Sequence, residues 1–378
     1  MYNNLLGKSK INIEKIENYE FKTKSYMNEE EKIKLNKPFT FDELNKVIGK
    51  MKSSSPGLNG LTIGFYKRYF VLFGDEYVKL VNDGRRLPNQ FMESFIKLIP
   101  KNKNKYKTTN DYRPITITNF DYRIMAKALV NRVNETTDKI IKNDQKCIGK
   151  NRRMSSIIIL VRDIIWDAIR NKRNLAVATF DQSKAFDNID HQYILKLLDS
   201  LDLGEKFIGN IKRMYDNSTT MVRVNEYNTE KIVIKSGIKQ GCPMSMWLYA
   251  ISIEELLNRI RENDEIKGYN FKGYMLNEIK VKAYADDVDS ITTDLISIEK
   301  IIQEFDEWGE ISGASINKNK TKILIFNIEG SLANPEIAQN FVNEMKILGV
   351  IFDKTCISRE NAHSCIEKIK KTLNIWHE

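Results

Sequence analysis

Apolar residues recur along this chain at two spacings, and the change from one to the other divides it. Residues 1–37 are polar and charged, with only a weak helical pattern from Met27 to Leu35, and read as a linker. Thr40 and Glu43 then form a capping box, and Leu44, Val47, Ile48 and Met51 repeat at helical spacing behind it, predicting a helix from about Phe41 to Met51. A turn at Ser53–Gly60 leads into helical patterns over Leu61–Phe73 and Glu76–Arg86. Further helices are predicted over Tyr122–Ile141 and Ser155–Ile169, so the first half reads as mostly α. After Arg173 the period shortens. The apolar run Leu175–Phe180 predicts a strand buried on both faces, followed by a helix over His191–Leu201. Thr220–Asn225 and Lys231–Lys235 alternate as a strand pair, and Pro243–Glu262 is an apolar helix. A hairpin around AYADDVD, a helix over Ile298–Ile311, and strands at Lys322–Phe326 and Met345–Phe352 complete the pattern. The class implied is α+β, with a small antiparallel sheet backed by helices after an α-rich lobe.

Composition narrows the partners. The chain has 378 residues, 42% of them hydrophobic, enough for a globular protein of two or three lobes with a substantial core. Sixty Lys and Arg against fifty Asp and Glu leave a net charge of +10, which favours a polyanionic partner. No apolar run approaches the roughly 20 residues that span a bilayer, and the Asn- and Lys-rich start has no signal-peptide core, so an intracellular protein without a membrane partner is expected. Cys147, Cys242, Cys356 and Cys365 are scattered without a C-x-x-C pair. Even with His363 beside the last two, buried or incidental thiols are expected rather than a zinc module.

Candidate chemistry centres on Asp286 and Asp287. Adjacent carboxylates are common in solvated turns, but here they close a strand in which Lys280, Lys282 and Tyr284 alternate with Val281, Ala283 and Ala285. Asp181 leaves the Leu175–Phe180 run in the same way. Like charges so placed repel and are relieved by a cation, and Mg²⁺ favours a few carboxylates together with substrate phosphates. Phosphoryl or nucleotidyl transfer is the chemistry suggested. In SGIKQGCPMS, Gly237, Gly241 and Pro243 precede a long helix, which suits either an ordinary loop or backbone contact with phosphate or base. Lys101, Lys103, Lys105 and Lys107, with Arg113 beyond, form a basic run that could equally be a solvated loop.

The order of these motifs resembles that of the reverse transcriptases, most of all the non-LTR (LINE-type) retrotransposon enzymes, over roughly Pro38 to Trp376. The resemblance runs through SSSPGLNGLT, FIKLIPKNKNKYKTTNDYRPITITN, QKCIGKNRRMSSIIIL, FDQSKAFDNIDH, GIKQGCPMS, YADD, SGASINKNKTKILIF and ILGVIF. It implies a right-hand polymerase, with fingers at 38–170, palm at 171–355 and the start of a thumb at 356–378. It further implies that Asp181, Asp286 and Asp287 bind two Mg²⁺ ions, for which Mn²⁺ could substitute, with the carbonyl of Phe180 or Gln182 completing the shell. Phe186 matches the bulky ring that rejects a 2′-hydroxyl, and Gln240 and Gly241 match the nucleotide and template pocket. Lys101 and Arg113 match basic positions near the triphosphate, and Leu348 and Gly349 match the turn that grips the primer. Lys320 matches the lysine that neutralises or protonates pyrophosphate, with Lys318 and Lys322 as neighbouring competitors.

The partners implied are an RNA template, a DNA primer and dNTPs, with a nuclear or cytoplasmic ribonucleoprotein location; the oligomeric state stays open. The chain departs from the family pattern at Cys147-Ile148, Asn151, Met246 and Tyr249 while keeping all three aspartates. Only the first thumb helix, IEKIKKTLNIW, and no endonuclease domain are read, so a catalytic core fragment is expected. A group II intron-type maturase and a truncated remnant that only binds nucleic acid are the alternatives. A viral RNA-dependent RNA polymerase is disfavoured by Phe186.

Overall fold

The structure, a computed structural model, describes residues 2–9, 11–101, 108, 111–271, 278–328 and 338–377. Three short helices come first, α1 (Tyr2–Leu6), α2 (Ile13–Glu17) and α3 (Glu29–Leu35), then α4 (Phe41–Lys50), α5 (Ile63–Asn82) and α6 (Asn89–Met92). Strands β1 (Glu93–Pro100) and β2 (Tyr112–Thr118) precede α7 (Phe120–Asn134) and α8 (Met154–Arg170). Next are β3 (Leu175–Phe180), α9 (Ala185–Asn188), α10 (His191–Ser200) and α11 (Glu205–Tyr215). Strands β4 (Thr219–Val224), β5 (Tyr227–Asn228) and β6 (Ile232–Val233) lead to α12 (Ser245–Glu262). The hairpin of β7 (Val281–Tyr284) and β8 (Asp287–Thr292) precedes α13 (Leu295–Ser312) and β9 (Lys322–Phe326). The last elements are β10 (Glu344–Ile347), β11 (Val350–Asp353), β12 (Cys356–Ile357) and α14 (Glu360–His377). The mixture is α+β, as expected. No helix among the described residues is long and apolar enough to cross a membrane.

The chain folds as two compact units that do not follow linear boundaries. The first comprises Met1–Lys142, Lys184–Glu255 and Gly309–Ala314, and the second Asn143–Ser183, Leu256–Trp308 and Ser315–Glu378.

In the first unit a sheet runs in the order β2-β1-β4-β5, with β6 also on β4; β1 pairs antiparallel with β2 and parallel with β4. These strands depart from the mostly α expectation for the first half. Residues 93–100 gain their strand partner β4 from more than a hundred residues away, so local periodicity carries little of that pairing. On one face Ile96, Val222 and Ile234 pack against Tyr2 and Leu6 of α1. Residues 1–37, expected as a linker, therefore hold α1 to α3 and bury Tyr2, Leu6, Ile16, Met27 and Leu35. Helix α5 runs unbroken where two helices were expected. Gly74, which interrupts the apolar pattern, sits under Phe41, whose ring would lie 2.4 Å from an added Cβ. At the start of α4, Thr40 accepts from the Glu43 N–H at 3.2 Å, but the Glu43 carboxylate pairs with Arg132 at 2.6 Å instead of returning to the cap.

In the second unit β7-β8-β3-β9 form an antiparallel sheet with β3 buried on both faces. Leu175 and Val177 join an apolar cluster with Val161, Ile164 and Ile165 of α8, while Phe180 meets Phe305 of α13 at 5.1 Å between ring centres. The segment expected as one strand over Met345–Phe352 is instead the β10-β11 hairpin. Leu348 at φ +46° and Gly349 at φ +92° make its two-residue turn, the pairing of positive φ values that matches strand twist.

Candidate active site

In the second unit, strand register brings the acidic motifs together. Phe180 of β3 faces Val288 of β8, so Asp181, the next residue, emerges beside Asp287. Tyr284 pairs with Asp287 across the β7-β8 turn, which leaves Ala285 and Asp286 at its tip. Burial raises the Asp287 carboxyl above its ordinary range, and the charges of Asp286 and Asp181 raise it further. Asp289 lies on the same strand face and is buried; loss of hydration, with Asp287 adding, pushes its carboxyl up to about 8. Burial and mutual repulsion thus disfavour the ionised forms of these carboxyls, and a cation bound beside them would favour ionisation.

Lys320 supplies part of that relief. It ends a tight helical turn, Lys318–Lys320, and its ammonium lies 3.2 Å from Asp181 Oδ2. Both side chains are about half exposed, 65% and 49%, so the pair contributes at most about 1 kcal/mol and the ammonium can turn to a more highly charged anion. Lys318 pairs with Asp306 at 2.9 Å, while Lys322 lines the same cavity as Lys320. That cavity measures about 390 Å³ and is lined by Asp181, Asp287, Asp289, Lys320, Lys322, Lys346 and Leu348. Gly349 lies beside Leu348 in the β10-β11 turn and is exposed.

Among the described residues no three carboxylate, imidazole or thiol groups close into a metal cage by themselves. An incomplete set of oxygen donors fits a hard divalent cation that keeps places for water and phosphate, as Mg²⁺ and Mn²⁺ do. Asp181 and Asp287 line the cavity, and Asp286 stands next to Asp287 at the hairpin tip.

The first unit contains the other expected positions. Phe186 of α9 stacks on Tyr249 of α12, with ring centres 4.4 Å apart and planes at 24°. Tyr249 is fully buried and so stiffens the ring above it. Gln240 donates from Nε2 to Asp187 Oδ1 at 3.1 Å, and its carbonyl accepts from the Thr116 N–H at 2.8 Å. Gly241 follows at φ +112°, where an added Cβ would lie 2.8 Å from the Thr116 carbonyl oxygen, so glycine alone fits this close approach. Lys101 and Arg113 are exposed and lie at the ends of the β1-β2 hairpin, Arg113 opposite Ile99 and the Lys101 N–H on the Asp111 carbonyl. Lys103, Lys105 and Lys107 lie outside the described residues.

Several residues escaped sequence reasoning. Asp289 carried a usable signal, since it stands two residues beyond Asp287 and so shares its strand face. Lys346 carried none, because its place depends on the β10-β11 hairpin. Lys239 reads as one more surface lysine, yet it is 3% exposed, with its ammonium 4.1 Å from the Tyr122 ring centre and burial lowering its pKa to about 8.

A profile described as Reverse transcriptase (RNA-dependent DNA polymerase) matches residues 99–352. A Xenopus laevis protein described as the transposon TX1 uncharacterized 149 kDa protein is 32% identical over 81% of this chain and 23% of its own length. A Popillia japonica Pol polyprotein from a type-1 retrotransposable element R2 is 26% identical over 79% of this chain and 41% of its own. The chain thus spans well under half of these relatives. A Candida tropicalis telomerase structure is similar with a TM-score of 0.49 and 14% identity, over 79% of this chain and 48% of that one. Families of this kind use divalent metal ions. With the matched profile covering most of its length, and with similar proteins among the TX1 and R2 elements, the chain belongs to the reverse transcriptase family.

Proposed function

We propose that this chain is the polymerising core of a non-LTR retrotransposon reverse transcriptase, which extends a DNA primer on an RNA template with dNTPs. The observation that supports this most is the strand register that sets Asp181 beside Asp287, with Lys320 on Asp181. In the reaction the primer 3′-oxygen bonds to the α-phosphorus of the dNTP, the bond from that phosphorus to the bridging oxygen breaks, pyrophosphate departs, and the hydroxyl proton passes to solvent. Two Mg²⁺ ions, when bound by Asp181, Asp286 and Asp287, would supply electrostatic neutralisation of the attacking and leaving oxygens. Lys320 offers a proton or a counter-charge to pyrophosphate. Phe186, braced by Tyr249, forms a wall against a 2′-hydroxyl. Lys101 and Arg113 offer charge to the triphosphate, Gln240 and Gly241 line the nucleotide, and Leu348 with Gly349 supports the primer end. Binding of the hybrid would rest on phosphate contacts and A-form shape, and so weaken steeply with salt.

Primer extension on poly-rA with oligo-dT tests this, comparing dTTP with UTP and the unaltered chain with Asp286→Asn. Extension with dTTP is expected, UTP should be used poorly, and Asp286→Asn should lose activity by at least about a hundredfold. Activity that survives the substitution refutes the metal role, and equal use of UTP refutes the role of Phe186.

A further inference from the structure

The turn that carries Asp286 is held from outside its hairpin by two glutamine side chains. Ala285 has φ +55°, a left-handed conformation that costs any residue bearing a Cβ and persists only where its surroundings over-determine it. Gln145 does so. The Ala285 N–H donates to Gln145 Oε1 at 3.0 Å, and the Ala285 carbonyl accepts from Gln145 Nε2 at 3.3 Å. One amide therefore satisfies both backbone groups of the left-handed residue. Gln145 is fully buried, and its Oε1 also accepts from the Cys147 N–H at 3.2 Å, which fixes which end of the amide is oxygen.

The backbone of Gln145 is itself secured. It bridges Ala283 in parallel register, with Lys146 N–H on the Ala283 carbonyl at 2.8 Å and Ala283 N–H on the Asp144 carbonyl at 3.0 Å. Arg152 donates to the Gln145 carbonyl at 2.8 Å. On the other side of the turn, Gln182 donates from Nε2 to the Asp286 carbonyl at 3.1 Å. Gln182 directly follows Asp181, so this bond ties the Asp286 backbone to the segment that bears the third carboxylate. Neither glutamine is needed for the hairpin's ladder, which β7 and β8 complete themselves.

We propose that Gln145 and Gln182 are positioning residues that set the Asp286 carboxylate relative to Asp181, Gln145 by holding Ala285 left-handed and Gln182 by tying the Asp286 carbonyl to the segment that bears Asp181. Without them the Ala285–Asp286 peptide is free to rotate toward negative φ, which swings the Asp286 side chain. A misplacement of about 1 Å at a reacting centre costs on the order of a hundredfold in rate. The inference rests on the assignment of Asp181, Asp286 and Asp287 as the metal-holding set.

The test compares Gln145→Ala, Gln145→Glu and Gln182→Ala with the unaltered chain by hydrogen exchange of residues 281–289, Mn²⁺ binding by electron paramagnetic resonance, and primer-extension kinetics. Exchange at the turn should quicken and Mn²⁺ affinity fall, each by about tenfold, while kcat falls about ten- to a hundredfold and KM for dNTP stays within about threefold. Gln145→Glu keeps the acceptor for the Ala285 N–H but not the donor to its carbonyl, and should still lose kcat. Wild-type kcat and Mn²⁺ affinity in a folded Gln145→Ala overturn the proposal. Should that variant fail to fold, the same result in Gln182→Ala overturns it. Asp286→Asn measured alongside separates the two claims: full activity and Mn²⁺ binding there would refute the metal assignment, whereas slow turn exchange in the glutamine variants would refute the clamp.

Discussion

Glu255 anchors the N-terminal segment, and its removal should loosen residues 12–27 from the first unit. The side chain is fully buried in α12 and accepts four hydrogen bonds from three residues of that segment. Tyr19 Oη and Lys22 N–H donate to Oε1 at 2.8 and 3.1 Å, and Thr23 N–H and Oγ1 donate to Oε2 at 2.9 and 2.8 Å. Thr23 is 1% exposed, so in Glu255→Ala its two donors lose their acceptor without gaining water. Each costs about 1–3 kcal/mol, while Tyr19 and Lys22 recover most of theirs from solvent, and the sum is about 3–5 kcal/mol. Glu255→Gln keeps one acceptor oxygen but turns an NH₂ toward a donor pair, for a loss of about 2 kcal/mol. Denaturant titration combined with hydrogen exchange should show the loss, with faster exchange confined first to residues 12–27. If Glu255→Ala stays within about 1 kcal/mol of the unaltered chain and exchange there is unchanged, the carboxylate is not what holds the segment.

Two further outcomes follow from single side chains. His191 is buried, its Nε2–H on the Gly237 carbonyl at 2.8 Å, and burial lowers its pKa from 6.5 to about 4. Between pH 6.5 and 4 the unfolded chain therefore binds a proton that the folded chain refuses. This stability is present above pH 6.5 and is lost, by about 3 kcal/mol, as pH falls toward 4; a His191→Gln variant should lack that part of the slope in pH-dependent denaturation. Lys320→Gln should lower kcat for primer extension by about tenfold or more with little change in stability, whereas Lys318→Gln, which only frees Asp306, should leave kcat within about twofold. Equal effects of the two would remove Lys320 from the reaction.

Periodicity was legible wherever an element buries a face of its own. Leu175–Phe180 and Lys322–Phe326 were read from their apolar runs with the observed ends, and α4, α8, α10 and α13 within a few residues. The strands β1 and β2 were not read, because their short apolar stretches gain meaning only from β4 and from the helix α1 laid over them. The same limit explains the polar N-terminal residues. Their few apolar side chains look too sparse to fold until Ile96, Val222 and Glu255 are present to receive them.

By itself the sequence determined the order of the motifs, and with it the family, as well as the strands that end in Asp181 and in Asp286-Asp287. These depend on residue identity and short-range spacing, which survive in one dimension. Only the tertiary structure decided which strand edges meet, that Asp289 is buried beside Asp287, that Lys320 rather than Lys318 stands on Asp181, and that Gln145 reaches 140 residues along the chain to hold Ala285. A carboxylate's partners and its hydration are set by chain segments that fold against it from far away, and no local pattern encodes them.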